Sequence, residues 1–223
     1  MRDRCEVQPP GFANPLSPTR HPQRMGLLLS LVLLAEPAWE RAGTAESVSW
    51  FTRARPGCAF NELKATAQLD ATPQELWAVL TDLEGWVKTM PSTDASVIVA
   101  RDAPGRTLLY LRYVLPVIAT RDTLIEVEEQ PDVEGRWVLS WKAAPPARDL
   151  ERPVGPGVVR LRVNEGRWQL ESRDAGSHTL VTYQLLSAPG GDVPAFFVNR
   201  VNALGVPQTF EALRRAVRQR RSR

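Results

Sequence analysis

Pro189-Gly190-Gly191-Asp192-Val193-Pro194 divides the chain into two kinds of periodicity. Upstream of it, from about residue 60 to 187, apolar and polar residues mostly alternate, the pattern of antiparallel strands with one face on a core. Downstream, Val193, Phe196, Phe197, Val201 and Leu204 recur at helical spacing and form one apolar stripe. The pattern predicts an α+β domain in which a long C-terminal helix covers a curved antiparallel sheet. A gap between helix and sheet is where a small guest would fit.

Working back from that boundary, the spacing predicts strands over 60–69, 95–101, 106–115, 121–129, 136–142, 158–163, 167–172 and 178–187. Their separators are rich in breakers, among them Ala103-Pro104-Gly105, Asn164-Glu165-Gly166 and Asp174-Ala175-Gly176-Ser177. Short separators imply hairpins. The longest gap, 143–157, reads as a surface loop that tolerates change. Thr72-Pro73-Gln74-Glu75 is a helix start with a capping Thr, a Pro in the first turn and a Glu that completes a capping box; Leu76, Val79, Leu80 and Leu83 give the helix its apolar side. Residues 45–50 are expected to close a short helix. Gly205-Val206-Pro207 is expected to split the closing helix in two.

The chain has 223 residues, a formal charge of +3, 43% apolar and 24% charged residues, which is ordinary for one globular domain. Arg20, His21 and Arg24 precede the apolar run from Met25 to Ala35, the layout of a secretory signal peptide cut near Ala35 or Ala38; translation starting at Met25 fits as well. An amphipathic first helix is the alternative. The expected organisation is a leader over 1–38, a domain over 46–217 and a basic tail over 218–223, with the product in the periplasm or cell envelope, or in the cytoplasm if the leader is no signal. Cys5 and Cys58 form no CxxC pair, so Cys58 is expected to be unpaired; a Cys5–Cys58 disulfide would need an exported chain that keeps its N-terminus.

Three stretches, in register, carry a resemblance. Ala71-Thr-Pro-Gln-Glu-Leu-Trp-Ala-Val-Leu-Thr-Asp82, Tyr113-Val-Leu-Pro116 followed by Arg121-Asp122, and the run from Pro189 to Asn199 are similar to motifs of the START family of lipid-transfer domains, specifically its small exported bacterial members. Phe196-Phe197 stands where the family pattern has a Trp. The resemblance implies a helix-grip fold over about 46–217 and a hydrophobic cavity beneath the closing helix. It implies a carrier of a lipid, sterol or fatty acid, with Tyr113, Arg121, Trp137, Trp141, Phe197, Val201 and Leu204 as the residues expected to meet the guest. The alternative is an enzyme of the same fold, polyketide cyclase-like or a hydrolase. A third reading is a binding module whose cavity is filled by side chains.

The residues themselves offer little for catalysis. His178 is the only histidine after the leader and begins a strand beside a turn, which suits a surface side chain. No HExxH, GxSxG, Cys/His cluster or glycine-rich phosphate loop occurs, and no cofactor or metal is expected. Arg121 and Asp122 point to opposite sheet faces. If Arg121 shares a face with Thr123, Ile125 and Val127, it presents a donor to a head group or to a buried carboxylate; a salt bridge at the sheet edge is the equal alternative. Arg214, Arg215 and Arg218 either touch an anionic membrane or complement the negative end of the last helix in solvent. No aromatics interleave with them, which argues against nucleic acid. The domain is expected to act as a monomer.

Overall fold

The structure, a computed structural model, describes Cys5 and residues 37–115, 118–191 and 193–222; of residues 195, 197 and 201–204 it describes the backbone alone. Apart from Cys5, residue 37 and Ala38, the expected leader falls outside this range, and with it the cleavage site at Ala35.

The chain enters the sheet earlier than its periodicity announces. Strands β1 (Glu40–Ala45) and β2 (Val48–Arg53) form a hairpin where a helix was expected over 45–50. Glu46 and Ser47 both take positive φ, at 51° and 63°, as a two-residue type I′ turn requires. Strand β3 (Glu62–Leu69) shows the cleanest alternation, burying Leu63, Ala65, Ala67 and Leu69. Helix α1 (Pro73–Leu80) starts on the expected capping box, with Thr72 Oγ1 accepting from the Glu75 N–H and Glu75 accepting from the Thr72 N–H. The short α2 (Trp86–Thr89) follows.

Next come β4 (Thr93–Ala103), β5 (Arg106–Tyr113), β6 (Arg121–Val133) and β7 (Arg136–Ala143), then β8 (Val159–Arg160), β9 (Val163–Arg173), β10 (His178–Ala188) and α3 (Ala195–Arg221). The sheet runs β1-β2-β3-β10-β9-β7-β6-β5-β4, antiparallel throughout, with β8 added in parallel against β6. It does not close on itself. Its concave side carries the main core, in which α1 and α3 pack on Leu109, Ile125, Leu139, Trp168 and Leu170.

Three expectations need correction. Asn164-Glu165-Gly166 is no turn: it lies inside β9, and the expected strand over 158–163 shrinks to the two residues of β8. Gly166 is needed because a Cβ there would sit 2.5 Å from the Trp141 indole and 2.3 Å from the Gln184 carbonyl. Secondly, α3 runs unbroken through Gly205 and Pro207. Proline removes one backbone donor, and the stripe Val206, Phe210, Leu213 and Val217, buried on the sheet, holds the helix on both sides of that gap.

Thirdly, the loop expected over 143–157 lies at the surface, exposed at 145–147 and 150–157, but it is not free, because the segment 144–162 is anchored to the sheet. It straps the convex face of β5 and β6, where Leu108, Tyr110, Leu124 and Ala144 form a second apolar cluster. Backbone bonds from Ala144 to Leu124, Val159 to Thr120 and Leu161 to Asp122 stitch it down.

Candidate functional site

Strands that alternate faces leave a row of concave side chains, and where α3 stands off the sheet these enclose a cavity of about 640 Å³. Its walls come from β5 (Leu111, Tyr113), β6 (Arg121, Ile125), β7 (Trp141), β9 (Asn164, Trp168) and β10 (Tyr183, Leu185). Trp86 and Met90 close one side, and Val198, Val206 and Thr209 of α3 form the roof. Most of this surface is apolar, so a hydrophobic guest gains about 25 cal/mol for each Å² it buries.

Polar groups face the cavity from β5, β6, β7 and β9. Tyr113 and Arg121 are directly opposite each other on β5 and β6, hence on the same face. The Arg121 guanidinium donates from Nε to the Pro189 carbonyl at 3.2 Å and from Nη1 to the Ala119 carbonyl, and desolvation lowers its pKa. Trp141 Nε1 donates to Asn164 Oδ1 at 3.1 Å, and Asn164 Nδ2 reaches the Tyr113 hydroxyl at 3.5 Å. Burial pushes the Tyr113 phenol up to about 12, so it stays a proton-bearing donor near neutrality. Tyr183 is also raised, by burial and by its closeness to Tyr113. Its ring stacks on Trp168 at 4.2 Å and lies 6.1 Å from Trp141.

Arg121 and Asp122 do not pair with each other. Asp122 points to the convex face and takes two bonds from Arg160, at 2.6 and 2.9 Å. Tyr113, Arg121 and Trp141 thus meet around the cavity, whereas Trp137 does not line it. That ring packs edge-on against Trp77 of α1 at 5.4 Å, because Trp137 lies four residues from Trp141 along β7, where α1 meets the strand. Phe197, Val201 and Leu204 lie on the backbone of α3, but their side chains are outside the described residues. Tyr183, Asn164 and Trp168 were not among the expected site residues. Tyr183 shares a face with Val181 and Leu185, a signal the alternation carries; Asn164 was hidden by its reading as a turn.

His178 is at the surface, beside Asp174 and Ser177. At the other end of α3, Arg218 pairs with Glu211 at 2.7 Å, and Arg214 with Glu211 at 3.7 Å and the Glu46 carbonyl. Arg221 holds Glu75 of the capping box, whose carboxyl is kept at about 2 by that hydrogen bond first and the Thr72 backbone second. Cys58 is not free. It is bonded to Cys5, with Cα atoms 4.1 Å apart, against a cluster of Phe60, Leu186, Val193 and Val198. The pair is the only one that two cysteines allow, and the expectation of an unpaired Cys58 is overturned because the fold brings Cys5 beside it across a separation of 53 residues. No helix among the described residues is long and apolar enough to cross a membrane, and no metal-holding cluster of His, Cys, Asp and Glu occurs among them.

The arrangement has close counterparts. A STAR-related lipid transfer protein from Xanthomonas axonopodis is 26% identical, with a TM-score of 0.70 over 81% of this chain and 98% of that one. Human StAR-related lipid transfer protein 5 shares the fold at 17% identity and a TM-score of 0.70, over 81% of this chain and 86% of its own. In sequence, an uncharacterised protein of Pseudomonas aeruginosa is 24% identical over 183 residues, 82% of this chain and 88% of that protein. The fold is therefore the START-like helix grip that the three motifs implied. The model of the family described as polyketide cyclase / dehydrase and lipid transport matches residues 69–214, well over half of the chain, and the protein belongs to that family.

Proposed function

We propose that the protein binds and carries one hydrophobic small molecule, of the lipid, sterol or fatty acid class, in the cavity beneath α3. The observation that carries this reading is the cavity itself: 640 Å³, walled mainly by apolar and aromatic side chains, with a few polar groups such as Tyr113 and Arg121 to orient a guest. The lipid-transfer protein of Xanthomonas axonopodis supports it by likeness. The test is native mass spectrometry of the full chain purified from its own host. One organic guest per chain, released unchanged by solvent, is the expected result; an empty protein that also fails to take up Nile red would overturn it.

A second reading, an enzyme of the polyketide cyclase kind, is favoured by the Tyr113 and Tyr183 phenols beside the guest space, which are potential proton donors. A guest recovered chemically changed would select it.

The disulfide supports an exported protein, since such bonds persist in oxidising compartments. It also requires Cys5, which cleavage at Ala35 or Ala38 would remove, so this support favours an exported chain that keeps its N-terminus. The full chain is expected to show no thiol reactive to iodoacetamide until it is reduced, and two thereafter. One reactive thiol in the unreduced protein would show that the bond is absent. For the arginine-rich helix end, the ion pairs of Arg214 and Arg218 favour the solvated reading over membrane contact.

A further inference from the structure

Two buried arginines flank the same stretch of β6, one on each face, and they are treated differently. Arg160, 8% exposed on the convex side, is neutralised by Asp122 and Asp149. Arg121, 4% exposed on the cavity side, has no carboxylate partner among the described residues. Its Nε and Nη1 are oriented by the carbonyls of Pro189 and Ala119, which leaves Nη2 without an acceptor among the described residues. A guanidinium taken out of water without a counter-charge is costly, and a charge of opposite sign delivered by a guest removes that cost.

The neighbouring phenol completes the receptor. Tyr113 stands opposite Arg121 across the β5–β6 ladder, accepts from Asn164, and gives its own hydrogen to no described protein atom. Size narrows the guest further. At about 30 Å³ for each water-sized group, 640 Å³ holds roughly twenty heavy atoms, the size of a single-chain or fused-ring guest.

We propose that the guest is a single-chain or fused-ring monoanion, a carboxylate, whose head group is held by Arg121 and Tyr113 while its apolar body lies against Trp141, Trp168 and Tyr183. The proposal rests on the carrier reading and names the class of molecule carried. It also separates this site from a pocket for neutral lipids, which would need no buried cation.

Three fluorescent probes of similar size test it by titration into the full chain: pyrene-1-carboxylate, the neutral ketone 1-acetylpyrene, and the hydrocarbon 1-ethylpyrene. Arg121→Gln is expected to weaken pyrene-1-carboxylate by about 10- to 100-fold, the range for a charge-assisted hydrogen bond, and to leave 1-ethylpyrene within about twofold. Tyr113→Phe is expected to weaken the carboxylate by about 3- to 10-fold. Arg121→Lys, which keeps the charge, should retain most of the carboxylate affinity and guards against a misfolded Gln variant; thermal melts accompany each titration. Equal losses for carboxylate and hydrocarbon, or no loss for either, overturn the proposal. So does a loss for 1-acetylpyrene as large as that for the carboxylate, because a neutral acceptor would then suffice. Binding of none of the three to the wild-type chain would instead sink the carrier reading itself.

Discussion

Replacing Phe210 by alanine is expected to cost the protein about 3–5 kcal/mol, the range for removing a large aromatic side chain from a core that cannot fully collapse. Phe210 is completely buried and meets Trp168 edge-on at 5.9 Å, so it is the point where the closing helix is keyed into the sheet. Val206 and Thr209 of the same helix line the guest cavity, and Phe210 does not. The truncation therefore acts on the attachment of the roof, with no guest contact removed. A urea titration should show a lowered midpoint, and Nile red uptake should fall with it as the roof loosens. Phe196→Ala is the control: that ring, in the first turn of α3, is 76% exposed, and its loss should stay within about 0.5 kcal/mol. A Phe210→Ala variant with the wild-type midpoint would mean that α3 is not bound to the sheet through this stripe.

The same helix shows how far the sequence could be read. Its position after the Pro-Gly-Gly segment was visible as a change of period, but the stripe the helix buries, Val206, Phe210, Leu213 and Val217, was not the one expected: Val193 precedes the helix and Phe196 is exposed. Its continuity through Pro207 was not visible, because a local breaker speaks only for one hydrogen bond, whereas the contacts that override it come from α1, β2 and β3 and from the Trp168 ring. In a similar way Thr72 and Glu75 announced α1, since a capping box is complete within four residues. The hairpin of β1 and β2 left no such mark: its turn, Glu46-Ser47, lacks the Asn-Gly or Asp-Gly signal of a tight turn. Gly166 misled for a physical reason. A glycine that makes room for an indole and one that makes a turn look alike in sequence, and only the Trp141 ring above it tells them apart. Of the site, Tyr113, Arg121 and Trp141 could be placed by strand parity. Asn164 and Tyr183 belong to it because β9 and β10 run beside β7 and β3, a pairing of strands far apart in sequence that periodicity does not contain.

The other large effect is expected from Asp122→Ala, at about 3–5 kcal/mol, because it leaves a buried cation without its main partner. Asp122 is 0% exposed and grips Arg160 with both oxygens, while Arg160 also reaches Asp149 Oδ1 at 2.8 Å and the Arg152 carbonyl at 2.9 Å. One acidic residue on β6 thus fastens the strap to the convex face of the sheet. Asp149 lies nearer the solvent and is shared with Arg162, so it cannot take over. The double substitution Asp122→Leu with Arg160→Met is expected to recover most of the loss, since an apolar pair leaves no charge stranded. If the single variant unfolds at the wild-type urea midpoint, the pair is not buried as described. The strap also adjoins the cavity: Val159 bonds the Thr120 carbonyl, Leu161 lines the guest space, and Ala119 holds Arg121. Loosening it should therefore weaken pyrene-1-carboxylate in Asp122→Ala even under conditions where that protein remains folded, and the Leu–Met double variant should restore binding along with stability.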